Sequence, residues 1–280
     1  MFIQTNIYAM QALRNNQINY NKMYKLMEQL STGLRINRAA DDAAGLAISE
    51  KMRFQINGYQ QATKNIQDGI SLIQTAEGAL STVHALFQRM SVLANQSANG
   101  TYSAEDRAKL MLEFNELKKE IKSITEKSNF NNIPLLDGQY SFENSDGLRI
   151  QAGYMADDAI RIDMPNLVSI ISALDNLDIS TSSNADQVIS SMENMIDTVS
   201  TARAKLGAFQ NRLEHRMNYV QNSIENLSAA QSRIRDTDYA VTLMEFTKAK
   251  ILFEASTAML AQANTLPQML LRLLENQPRF

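Results

Sequence analysis

Stepping by seven from Met192 lands on Val199, Leu206, Leu213, Val220, Leu227, Ile234 and Val241, and every residue in this row is apolar. A second row, Val188, Met195, Ala202, Phe209, Arg216, Ser223, Ala230, Thr237 and Met244, interleaves with it and is more mixed. Two rows at this spacing make one stripe along a helix, the seam of a coiled coil. Asn184 with Gln187 fits a capping box. The pattern predicts one helix from about residue 186 to about residue 265, roughly 120 Å long at about 1.5 Å per residue. Such a helix cannot cover its own seam and needs partners.

The N-terminal half supplies candidates. Met10, Leu13, Tyr20, Tyr24, Met27 and Leu34 follow three- and four-residue steps, with Gln17 and Ser31 filling the gaps. Asp41 and Asp42 offer a cap for a second helix, whose stripe runs through Met52, Ile56, Tyr59, Ile66, Ile73, Leu80, Val83, Phe87 and Met90 to a stop at Asn99-Gly100. Ser103 with Asp106 predicts a third, carrying Leu110, Phe114, Leu117, Ile121 and Ile124. Proline agrees: the four prolines stand at 134, 165, 267 and 278, so 1–133 and 166–266 contain none. Between these blocks the period changes to two. Leu148, Ile150 and Ala152, then Ile160, Ile162 and Met164, alternate with polar residues around Tyr154–Asp158, which predicts a β-hairpin over about 148–164. Ser180–Asn184 is polar enough for a loop. The fold class is mainly α: a long antiparallel helical coiled-coil rod with a small β-hairpin region at the centre of the chain.

Composition narrows the function. The chain has no Cys, and the net charge is −3. That leaves no disulfide or thiolate metal site and gives no basic footprint for nucleic acid. No apolar run reaches the length of a membrane span. The stretch MFIQTNIYAMQALRNN lacks the basic leader and apolar core of a cleaved signal, so export would need another route. His84 and His215 are isolated, and no Walker, GxGxxG, GxSxG or HExxH motif occurs. The carboxylate pairs Asp41-Asp42 and Asp157-Asp158 read as a cap and a turn. The chain therefore reads as a non-enzyme with no cofactor and no metal. Residues 1–30 hold nine Asn or Gln and few charges, and 255–264 is Ala-rich. Helices of this kind are weak alone and suit packing against copies of themselves.

Specific strings then resemble bacterial flagellins: LSTGLRINRAADDAAGLAISEKMR (30–53), DGISLIQTAEGAL (68–80), QRMSVLANQSANGTYS (88–103) and NFNNIPLLDG (129–138), and later RAKLGAFQNRLEH (203–215), AAQSRIRDTDYA (229–240), EFTKAKIL (245–252) and AMLAQAN (258–264). The resemblance implies a short flagellin without variable outer domains, since about 64 residues separate the two sets. It implies a subunit that polymerises into the flagellar filament for motility, exported by the type III route and external, or periplasmic in a spirochaete. The alternative is a hook-filament junction (hook-associated) protein, whose relatives usually depart from AGLAISEKMR and AMLAQAN.

The resemblance also assigns parts. Residues 1–44 and 236–280 become the inner filament-core helices, and 45–235 the rod, with Met192, Val199, Leu206, Leu213, Val220 and Leu227 in its core. An export chaperone docks from about residue 240 onward, on a stripe including Val241, Met244, Ile251 and Leu252 that later packs other subunits. Junction and cap proteins of the hook are further partners. Arg89, Leu93 and Glu120 become the contacts of the host Toll-like receptor for flagellin. The C-terminal segment departs from the family pattern at Glu275 and extends it through Asn276 to Phe280.

Overall fold

The computed structural model describes residues 5–275. Six helices dominate: α1 (Ile7–Thr32), α2 (Ala43–Ala98), α3 (Ala104–Lys127), α4 (Val168–Asp175), α5 (Ser182–Arg235) and α6 (Tyr239–Glu275). Two antiparallel strand pairs stand between α3 and α4: β1 (Asn129–Phe130) with β2 (Ile133–Pro134), and β3 (Leu148–Gln151) with β4 (Ala159–Ile162). The architecture is mainly α, built on long antiparallel helices. The chain divides into two compact units, one of 1–54 with 226–280 and one of 55–225. These divisions fall inside α2 and α5, a few turns from the linkers at which the sequence suggests a boundary.

In the unit of 55–225, α2 and α5 run antiparallel. Ser182 Oγ donates to the Ala98 carbonyl at 2.9 Å, and the Arg203 guanidinium meets Glu77 at 3.6 Å. The predicted stripe of α2 is the core: Ile66, Ile73, Leu80, Val83, Phe87 and Met90 are fully buried. Met192, Val199, Leu206, Leu213 and Val220 of α5 and Phe114 and Ile121 of α3 are buried too. Each such side chain contributes about 1.5–3 kcal/mol by leaving water. Leu227, expected in the same core, is only half-buried. It lies beyond the three-helix stretch, in the unit of the chain ends.

The caps follow side-chain chemistry. Asp42 accepts from the Gly45 N–H at 2.9 Å, and Ser103 from the Asp106 N–H at 3.2 Å. Arg107 closes the other end of α2, its Nε donating to the Ser97 carbonyl at 2.9 Å. α5 begins at Ser182, earlier than the sequence suggests: Thr181 Oγ1, not the Asn184 side chain, accepts the capping N–H. The supposed polar loop is therefore partly helix.

The hairpin forms where the alternation predicts one, with Leu148 opposite Ile162 and Gln151 opposite Ala159. It is held by Arg216 of α5, whose guanidinium donates to the Ala152 carbonyl and to Asp158, both at 3.0 Å. Tyr154 packs edge-on against Tyr59, with ring centroids 5.1 Å apart. The β1–β2 turn uses Asn131 and Asn132 at φ 48° and 63°, a left-handed conformation that Asn tolerates. α4 ends under Lys118, which donates to the carbonyls of Asp175 and Leu177. Burial there pushes the Lys118 ammonium below its usual pKa.

The single helix predicted over about 186–265 is two. α5 stops at Arg235 and α6 starts at Tyr239, where Asp238 accepts from the N–H groups of Ala240 and Val241 at 3.0 and 3.1 Å. The interruption pairs with the linker between α1 and α2. Leu34 bridges Asp236, Arg35 N–H donates to the Arg235 carbonyl at 2.6 Å, and Thr237 N–H donates to Gly33 at 3.0 Å. Arg235 meets Glu50 at 2.6 Å, and Glu50 also holds Arg53 at 2.6 Å. Asp41 takes the Lys25 ammonium at 2.7 Å and the N–H groups of Asn37 and Arg38. Backbone pairing across the two linkers competes successfully with helix propagation.

α6 also continues past its predicted end, through Pro267 to Glu275. Proline has no N–H for the carbonyl four residues back, here that of Ala263. Asn6 supplies the missing donor, its Nδ2 reaching the Ala263 carbonyl at 2.8 Å while its Oδ1 caps α1 at the Ala9 N–H. The packing of Asn276–Phe280 lies outside the described residues.

Candidate subunit-packing surface

α1 and α6 pack closely, and their contacts fix an antiparallel register. Asn6 meets Ala263, Asn16 meets Ser256 and Thr257 at 3.2 and 2.8 Å, Asn19 meets the Leu252 carbonyl at 3.3 Å, and Lys22 lies 3.6 Å from Glu245. The row of α1 that does this is Ala9, Ala12, Asn16, Asn19, Met23 and Leu26, opposite Thr242, Phe246, Ala249, Phe253, Ser256, Leu260 and Ala263. Small and amide side chains let the helices approach. Met23 and Leu26 join this seam, and the Tyr20 ring reaches its edge with its centroid 5.7 Å from that of Phe253, but most of the large residues of α1 lie outside it. Met10, Leu13, Tyr20, Tyr24 and Met27 are all exposed, Tyr24 at 50 % and Met10 at 56 %. They occupy the register one residue along from the packed row, which at about 100° per residue turns them onto a flank.

The opposite flank is also apolar. Tyr8, Ala12 and Ile18 of α1 and Leu252, Ala255 and Met259 of α6 line a groove of about 520 Å³, edged by the amides of Gln11, Asn15, Asn19 and Gln262. A shallower apolar hollow continues along α6 through Leu243, Met244, Thr247, Ile251 and Leu252, with Lys248 beside it. All four residues singled out on α6, Val241, Met244, Ile251 and Leu252, are exposed, Met244 at 65 %. One helix pair thus carries two apolar flanks, and no described residue covers either. Exposed apolar surface on this scale marks an interaction site. Tyr8, Ile18 and Met259 escape the sequence reading because the groove exists only once α1 and α6 are paired.

The three residues that the resemblance assigns to a host receptor are less unified than their spacing suggests. Arg89 is exposed and pairs with Glu113 of α3 at 2.6 Å. Glu120 is exposed as well. Leu93, four residues from Arg89, is fully buried. Four residues advance about 40° past a full turn, and here that offset carries the side chain from the solvent edge into the core stripe beside Met90 and Ala94. Leu93 presents no surface to a partner.

Among the described residues no group of three His, Asp or Glu is placed to hold a metal ion, and no helix is long and apolar enough to cross a membrane.

Comparison with known proteins agrees with this geometry. The family model for the bacterial flagellin N-terminal helical region matches residues 3–141, and that for the bacterial flagellin C-terminal helical region matches 189–274. A flagellin of Halalkalibacterium halodurans is 51 % identical over 98 % of this chain and 100 % of its own length. The flagellar filament 33 kDa core protein of Treponema phagedenis is 41 % identical over 98 % of this chain and 100 % of its own. The crystal structure of Bacillus cereus flagellin superposes with a TM-score of 0.50 at 31 % identity, covering 60 % of this chain and 94 % of that one. With both halves matched and identity sustained along the whole length, the chain belongs to the bacterial flagellin family.

Proposed function

We propose that this flagellin, a structural subunit of the flagellar filament, assembles through the two apolar flanks of its α1–α6 pair. The observation that carries this reading is that the flanks differ and lie on opposite sides of one helix pair. The Met10–Tyr24 stripe of one copy then meets the Tyr8–Ile18–Met259 groove of the next. Such a contact is heterologous, and repeated without closure it builds a helical polymer. On this reading residues 1–44 and 236–280 form the inner core of the filament and 45–235 surround it. The chain has no Cys, so a single introduced thiol is an unambiguous probe. Ile18→Cys and Tyr24→Cys should each react with a maleimide in the monomer and be protected in the polymer. Equal reactivity in both states would rule the interface out.

The same surface serves partners before and after assembly. An export chaperone covers the α6 stripe of Val241, Met244, Ile251 and Leu252 by burying it in an apolar groove, and so competes with polymerisation. A chain truncated at Asp238 should lose chaperone binding; retention at full affinity refutes the assignment. Junction and cap proteins of the hook engage the end subunits through the same flanks. The filament is external, so an impermeant label should reach it on intact cells. Labelling only after outer-membrane lysis would place it in a periplasm. The host Toll-like receptor for flagellin contacts Arg89 and Glu120, with Leu93 acting only by shaping the helix beneath. Arg89→Ala should weaken receptor binding by about 1 kcal/mol or more, and Leu93→Ala should act through stability; unchanged signalling by folded Arg89→Ala excludes the site.

A further inference from the structure

We propose that the exposed methionines of the terminal helix pair make assembly oxidation-sensitive: peroxide converts them to sulfoxides that block polymerisation, and polymerisation shields them from peroxide. This rests on the reading of α1 and α6 as the packing surface.

The distribution of methionine motivates it. Six methionines among the described residues are exposed, Met10, Met27, Met155, Met244, Met259 and Met269, and all but Met155 lie on α1 or α6. In the unit of 55–225, by contrast, Met90, Met164, Met192 and Met195 are buried. The sulfurs open to an oxidant are therefore concentrated on the association surface. Met10 and Met27 belong to the outward stripe of α1, Met259 lines the groove, and Met244 lines the hollow beside Ile251 and Leu252.

Each thioether sulfur attacks one oxygen of the peroxide. An S–O bond forms as the O–O bond breaks. Sulfur is oxidised by two electrons, and the peroxide is reduced to water. The sulfoxide replaces a flexible apolar group with a polar, chiral one. Met10 and Met27 stand among Leu13, Tyr20 and Tyr24, so association would bury the new acceptor largely without donors, at a desolvation penalty. Met259 shares its groove with the amides of Gln11 and Asn15 of α1 and Gln262 of α6 and should be the most tolerant of the four.

The test treats monomer and polymer separately with hydrogen peroxide, maps sulfoxides by peptide mass spectrometry and measures the critical concentration by sedimentation. The four methionines should oxidise about tenfold faster in monomer than in polymer, and oxidised monomer should need at least about tenfold more protein to polymerise. Methionine sulfoxide reductases should restore assembly without any substitution. A variant carrying Met10→Leu, Met27→Leu, Met244→Leu, Met259→Leu and Met269→Leu should polymerise before and after peroxide. Oxidised monomer that polymerises like untreated protein overturns the proposal, as does failure of complete enzymatic reduction to restore assembly. Equal oxidation rates in monomer and polymer contradict the packing surface itself, a separate failure.

Discussion

Leu206 and Leu213 stand one heptad apart, both fully buried, and the next two members of their row behave differently: Val220 is buried and Leu227 is half-exposed to solvent. Truncation should track this gradient. Leu206→Ala and Leu213→Ala should each cost about 2–5 kcal/mol, whereas Leu227→Ala should cost about 1 kcal/mol. Thermal melts of the three variants decide it, and equal losses would mean the seam is uniform. Asp41 adds a pH dependence. The Lys25 ammonium, and then the Arg38 N–H, hold its carboxyl below the usual Asp pKa, against a smaller effect of burial. A depressed folded pKa contributes stability above the unfolded value, and that stability is lost as the pH falls through the folded value. Asp41→Asn should therefore be less stable than the parent at pH 7 and should converge with it below the ordinary Asp value of about 3.9. Denaturant titrations at several pH values check this; a constant difference down to pH 2 would show that Asp41 acts by packing alone.

At the scale of elements, close approach explains a glycine that periodicity does not. A Cβ at Gly58 would lie 2.6 Å from the Cβ of Tyr154, where the hairpin turn rests on α2, while one at Gly78 would meet nothing within 4 Å. Gly58→Ala should destabilise by about 1–3 kcal/mol. Gly78→Ala should stabilise by about 0.5–1 kcal/mol, since helical glycine is entropically costly. Calorimetry on both separates docking from propensity. Asn6 is the corresponding polar device, capping α1 and meeting the carbonyl that Pro267 leaves without a partner. Asn6→Ala should cost about 0.5–2 kcal/mol from the cap alone, with faster amide exchange at Ala9 and beyond as the readout.

These elements also show what the sequence makes legible. The α2 and α5 stripes and the hairpin are local periodicities, and they were readable because one face of each packs within the chain. The stop at 236–238 was hidden because Ile234 and Val241 keep the heptad phase across it. The Asp238 cap and the pairing with Gly33–Arg35 decide it, and that pairing joins residues about 200 apart in sequence. The stripe of α1 is legible as a helical face, but most of it lies outside the α1–α6 seam: hydrophobic spacing reveals an apolar face, not what meets it. Leu93 is buried for a smaller reason: four residues carry it about 40° round the helix from Arg89, from the edge of the stripe into it.

For the whole molecule, two apolar flanks on one helix pair would be a liability in a permanent monomer. In the proposed assembly they are the means of growth, and their scarcity of charge would let identical copies approach. The central claim is that α1 and α6 of adjoining copies bury these flanks against one another. A helical cryo-electron microscopy reconstruction of filaments grown from the purified chain tests it most directly. The account predicts α1 and α6 innermost, with Tyr20 and Tyr24 of one subunit against the Tyr8–Ile18–Met259 groove of a neighbour. A filament in which those side chains face solvent, and in which residues 55–225 alone make the lateral contacts, would contradict it.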